Sequence, residues 1–121
     1  MKISHIILST LLLMIFNTAH SQDGLTQSQL NQAASQHFGT SDYMLNKAYA
    51  QLMGVLSEER KEKLKTSQRT WIKFRDSEAD FISGAYGNGS MRPLIHAQVL
   101  IRLTEQRTSE LTRIHLNEIT P

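Results

Sequence analysis

The sequence predicts an all-α protein, a compact bundle of about four largely antiparallel helices. Three observations carry this. Strand-like alternation of apolar and polar residues is missing throughout, apolar residues recur at helical spacing, and each periodic stretch is bounded by helix start and stop signals. Short connections between such stretches make sequence neighbours pack side by side.

The chain begins with "MKISHIILSTLLLMIFNTAHSQ", a lysine start, an apolar run from Ile6 to Phe16, and small residues Ala19 and Ser21 at cleavage spacing. This reads as a signal peptide over residues 1–21, cut after Ser21, leaving a single helical domain over 22–121. The apolar run is short for a membrane span, and no cysteine follows it to carry a lipid. A soluble exported protein, periplasmic or secreted from a bacterium and without stable membrane insertion after cleavage, is the expectation.

The first helix is predicted from about Thr26 to His37, with Leu30, Ala33, Ala34 and His37 on one side and a stop at Phe38-Gly39. A second opens with Thr40 or Ser41 as N-cap and places Asp42, Leu45, Asn46, Tyr49, Leu52, Met53 and Leu56 in one stripe. Ser57 followed by Glu58 and Glu59 is a fresh cap with first-turn acids, which starts a long third helix reaching about Tyr86. "GNGS", Gly87 to Ser90, breaks it. Ser90 is the expected cap of a fourth helix, with Pro93 in the first turn and an end near His115. Leu94, Ile95, Val99, Leu100, Ile101 and Leu103 surround much of that last helix, which should be the most enclosed.

The third helix carries an unusual stripe. Leu64, Gln68, Trp71, Arg75, Glu78, Ala79 and Ile82 fall within roughly 100° of one another, the width of a core-facing surface. Glu62, Lys65, Arg69, Lys73, Asp76, Ser77 and Asp80 lie on the opposite side. Gln68, Arg75 and Glu78 therefore stand where apolar groups would be easier to bury and must find partners there.

Composition excludes several classes. Removing Lys2 from the 13 basic residues leaves 12 against 11 acidic ones, so no extended basic field exists for nucleic acid. Of the five histidines, two lie in the leader; His37, His96 and His115 have no paired ligand spacing, so no metal is expected. No cysteine nucleophile, G-x-S-x-G elbow, phosphate loop or Rossmann glycine pattern is present, so neither a cofactor nor an enzyme is expected. Asp76, Glu78 and Asp80 alternate around the helix and do not face a common substrate.

In order along the chain, "SDYMLNKAYAQLM", "LKTSQRTWIKFRDSEADF", "YGNGSMRPLIH" and "LTEQRTSEL" resemble the LprI-type lysozyme inhibitor N-terminal domain family, small exported helical domains of bacterial envelopes. The resemblance runs from about Gln27 to Leu111 and rests on the D-x-x-L-N-x-x-Y, Q-x-x-W-x-x-x-R-D, G-S-M and L-T-x-x-R elements together. It implies signature positions at Asp42, Asn46, Tyr49, Gln68, Trp71, Arg75, Asp76 and Arg107. These are expected to serve the fold first, with Asp42 or Glu78 pairing with Arg75 or Arg107, Asn46 and Gln68 tying helices together, and Trp71 anchoring the core.

The family usually carries cysteines at positions matching Ala33, Ala79 and Val99, and this chain has none. Losing a disulfide from a small secreted domain costs about 2–5 kcal/mol, which packing or a partner subunit must recover.

Three functions fit the resemblance. One is a binding protein that inhibits lysozyme or a related cell-wall hydrolase by obstructing its cleft. Its partner-contacting loop would hold Tyr86, Asn88, Gly89, Ser90, Met91 and Arg92, with Asn88, Ser90 and Arg92 facing catalytic carboxylates. The plain reading of the same loop is a helix connection capped by Ser90. The second function is a non-catalytic envelope assembly or stress-associated component, a homodimer or accessory subunit with an exposed apolar patch on the last helix. The third is an immunity protein against a toxin that attacks peptidoglycan.

Overall fold

The computed structural model describes residues 24–121, and the signal-peptide reading of 1–21 lies outside them. Those residues form three helices and no strand: α1 Gln27–Met53, α2 Glu58–Gly84 and α3 Arg92–Ile119. The all-α class holds, while the expected four-helix count is corrected to three.

The correction falls at Phe38-Gly39, where the chain continues as helix through the expected break. Gly39 is exposed and a Cβ there would meet nothing within 4 Å, so no special turn conformation is being used. Thr40 Oγ1 donates to the Gln36 carbonyl 3.4 Å away, the bond of a mid-helix threonine rather than a cap. Glycine in a helix interior costs about 1 kcal/mol relative to alanine, and packing of α1 along α3 on both sides of Gly39 outweighs it.

The true N-cap of α1 is Thr26. Its Oγ1 accepts from the Gln29 amide at 3.2 Å and the Gln29 side chain accepts from the Thr26 amide at 2.8 Å, a reciprocal capping box. Ser57 caps α2 as expected, accepting from the Arg60 amide at 3.4 Å, with Glu58 and Glu59 in the first turn. Ser90 does not cap α3. Met91 is the N-cap residue without a side-chain bond, Pro93 lies in the first turn, and the helix runs past His115 to Ile119.

α3 is the axis of the fold. Both other helices pack along it, whereas α1 and α2 approach one another little. Partners across the interfaces give the directions: Asn31, Ser41 and Leu52 of α1 meet Ser90 just before α3, Glu105 and Leu111 in turn, so these two helices run parallel. Asp80 meets His96 and Gln68 meets Arg107, so α2 runs antiparallel to α3. As expected, α3 is the most enclosed element, burying Ala97, Val99, Leu100, Ile101, Leu103, Thr104, Arg107 and Leu111.

The core is in two parts. Leu45, Ala48, Leu52 and Leu111 form one cluster, with Tyr49, Leu56, Leu64, Trp71 and Ile114 against it. Ala79, Val99, Leu100 and Leu103 form the other, with Phe38, Trp71 and Ile82 against it. Trp71 touches both clusters and ties them into one core. Of the cysteine-matching positions, Ala79 and Val99 share the second cluster, while Ala33 is exposed and its neighbour Ala34 is buried. Ala33 therefore stands apart from the other two positions: that turn of α1 aims Ala34 inward.

Candidate functional site

Because α1 and α2 stand apart, long side chains must fill the seam between them. Arg75 lies there, 8% exposed, its guanidinium 5.2 Å from the Phe38 ring centroid and 5.4 Å from that of Trp71. Its Nε donates to Asp76 Oδ1 at 2.9 Å, and Nη1 reaches Asp42 Oδ1 and Thr104 Oγ1, each at 3.5 Å. Both carboxylates reach the surface, so the buried cation is neutralised without burying an anion beside it. Asn46 Nδ2 donates to Asp42 Oδ2 at 3.3 Å and orients that carboxylate from one turn along α1.

Arg107 is a second guanidinium over the indole, 5.9 Å from the Trp71 centroid. Its Nε donates to Gln68 Oε1 at 3.0 Å, Nη1 to Glu110 at 2.8 Å and Nη2 to Ser67 Oγ at 3.2 Å. Trp71 thus stands against two guanidinium groups, each held by its own hydrogen bonds, an arrangement in which cation–π attraction and packing act together. The signature residues Asp42, Asn46, Arg75 and Asp76 meet in one network. Gln68, Trp71 and Arg107 meet beside it, and Tyr49 packs on the first apolar cluster.

Sequence reasoning missed several members of this network. Thr104, 0% exposed, and Ser67 are the hydroxyls that meet Arg75 and Arg107, and Phe38, read as a helix end, is the second ring against Arg75. A buried threonine has no signature apart from its helical register, Thr104 lying one turn before the Thr108 that donates to its carbonyl. Glu78, expected to pair within the stripe, has no hydrogen bond or ion pair among the described residues and is half-buried.

The Tyr86–Arg92 loop closes the bundle end where α2 meets α3. Gly87 takes φ +57°, a left-handed conformation that a side chain would strain. Arg92 Nη1 donates to the Gly87 carbonyl at 3.2 Å, so this guanidinium braces the loop. Asn31 of α1, absent from the sequence reading, donates to the Ser90 carbonyl at 3.1 Å and fixes the loop from the other side.

Two histidine–carboxylate contacts join helices elsewhere. His37 Nε2 lies 3.1 Å from Glu105 Oε1, which also accepts from Ser41 Oγ at 3.3 Å, and His96 Nε2 lies 3.0 Å from Asp80 Oδ1. Ser41 meets the carboxylate and not the imidazole, so these three do not form a nucleophile–base pair. Among the described residues no three histidine, aspartate or glutamate side chains converge to hold a metal, and no helix is long and apolar enough to cross a membrane.

Fold and site together define a small three-helix domain whose buried polar groups hold helices in register. The chain belongs to the LprI family: the family model described as "Lysozyme inhibitor LprI" matches residues 18–111. It is also 30% identical over 103 residues to an uncharacterized protein of Rhizobium meliloti (strain 1021), covering 74% of each chain. No solved structure matches the chain. The family description names an inhibitor, which fits a protein that acts by binding.

Proposed function

We propose that this protein, exported to the periplasm or cell surface and matured to a single domain over 22–121, inhibits a lysozyme or related cell-wall hydrolase by seating its Tyr86–Arg92 loop in the catalytic cleft. Family membership supplies the target class.

The observation that carries the loop's role is its one-sided hydrogen bonding. The carbonyls of Tyr86, Gly87, Gly89, Ser90 and Met91 already accept bonds from within the domain. The amides of Asn88, Ser90 and Met91 and the side chains of Asn88 and Ser90 have no partner among the described residues. A loop whose backbone carbonyls, that of Asn88 apart, are occupied and whose amides at Asn88, Ser90 and Met91 are free offers more donors than acceptors to an acceptor-rich target. Glycoside hydrolases of the lysozyme type present a pair of carboxylates at the cleavage point. Bracing by Asn31 and Arg92 means that little loop freedom is lost on binding, and Tyr86 and Met91, both exposed, flank the donors with apolar surface.

The test is inhibition of lysis by the wild type and by Ser90→Glu, which sets an anion against that carboxylate pair. A loss of inhibition of tenfold or more, at unchanged thermal stability, supports the loop assignment. Full inhibition by the variant would move the contact elsewhere on the domain.

A second reading, a homodimeric envelope component, draws support from Phe74 and Phe81, seven residues apart on α2 and 51% and 78% exposed. Leu116 and Ile119, each 52% exposed, add apolar surface on the last helix, where such a patch was expected. Sedimentation as a monomer at high concentration would remove that reading.

A further inference from the structure

Outside the seam and the loop, α1 and α3 leave a groove on their shared outer surface. The His37–Glu105 contact crosses it and divides it into two connected hollows. In the larger hollow Ile101, itself buried, forms an apolar floor, and Gln98, Arg102, Gln106 and Ser109 stand around it at helical spacing on α3.

None of those four side chains has a hydrogen-bond or ion-pair partner among the described residues. That is not the general condition of arginines beside hollows of this surface. Arg92 lines another and is bound to the Gly87 carbonyl, and Arg60 lines a third and is paired with Glu118. Arg102 alone of these three offers its whole planar fork to a ligand. The glutamines supply amide donors and acceptors, and Ser109 a hydroxyl, beside the apolar base of Ile101.

We infer that this groove binds a small carboxylate carried beside an amide group, the chemistry of an N-acylated amino acid. The guanidinium takes the carboxylate in two parallel hydrogen bonds. The amides of Gln98 and Gln106 match the ligand's own amide, and a short aliphatic side chain rests on Ile101. The titratable groups facing the site from both helices are Arg102, His37 and Glu105. Glu105 is engaged by His37 and Ser41 through one oxygen, and its remaining charge disfavours a doubly charged phosphate more than a singly charged carboxylate. The inference is independent of lysozyme inhibition and is tested without it.

The experiment is an amide-resolved NMR titration of the mature protein with N-acetylalanine, its uncharged carboxamide, and inorganic phosphate. Saturable shifts at Gln98, Arg102, Gln106 and Ser109 with N-acetylalanine, absent with the carboxamide and weaker with phosphate, are expected. Arg102→Gln should weaken the carboxylate about tenfold, and Glu105→Gln should strengthen it. Equal shifts from acid and carboxamide, tighter binding of phosphate, or undiminished binding by Arg102→Gln overturns the assignment. Arg102 is exposed and unpaired, so its variant keeps the fold.

Discussion

Arg75 lies 5.4 Å from the Trp71 ring centroid and contacts side chains of all three helices: Phe38 and Asp42 on α1, Asp76 on its own helix and Thr104 on α3. A single guanidinium therefore fixes the register of the whole domain at its middle. Arg75→Ala should lower stability by about 2–4 kcal/mol in urea unfolding, because the seam loses its filler and Thr104 its partner. Asp80→Ala, which removes an exposed contact with His96, should cost less than about 1 kcal/mol. Equal, small effects would refute the network.

Continuity of α1 through Gly39 makes a prediction of opposite sign. With open space at its Cβ and ordinary helical backbone, Gly39→Ala should stabilise by about 0.5–1 kcal/mol. At Gly87 the same change meets φ +57° and should destabilise by about 1 kcal/mol. Thermal unfolding of the two variants reads both, and destabilisation by Gly39→Ala would restore the break between two helices.

The apolar pair at the cysteine-matching positions should accept a cross-link. Ala79→Cys with Val99→Cys joins two members of one buried cluster, and oxidation should give a monomer stabilised by about 2–4 kcal/mol. Ala33→Cys, exposed on α1, should remain a free thiol in combination with either. Mass spectrometry and unfolding of the three double variants decide this, and a bond formed through position 33 in preference to 79–99 would contradict the packing of α1.

At the start of α2, the hydrogen bond and charge of Lys61 hold the Glu58 carboxyl below its ordinary 4.5. The stability this contact contributes is complete above pH 4.5 and declines as pH falls through the lower folded value. An NMR titration of Glu58 should show a midpoint below 4.5 that returns there in Lys61→Ala; a midpoint unaffected by that substitution would assign the shift elsewhere.

How much of this was legible before folding depended on the kind of signal. Helical periodicity placed Gln68 and Arg75 on the inward face, and they are buried there with partners, because a fixed angle per residue needs no tertiary information. Gly39 was misread since a glycine after a periodic stretch signals a stop only when the chain turns. Whether it turns is decided by α3, more than 50 residues away. Ser90 was misread as a cap by one residue: Met91 takes the N-cap position before α3, and Ser90 meets Asn31 of α1 through its carbonyl. Asn31, Thr104 and Glu105 act across helices, and a single chain carries no local mark of such pairings. The α1–α3 groove was invisible for the same reason.

The proposed function is binding and inhibition of a lysozyme-type hydrolase. Its most direct test is calorimetric titration of residues 22–121 against chicken-type, goose-type and invertebrate-type lysozymes at physiological salt, paired with a cell-wall lysis assay. A Kd of about 1 μM or tighter is expected for at least one of them, with loss of lysis at matching concentrations. Absence of binding to all three, with lysis undiminished, would contradict it.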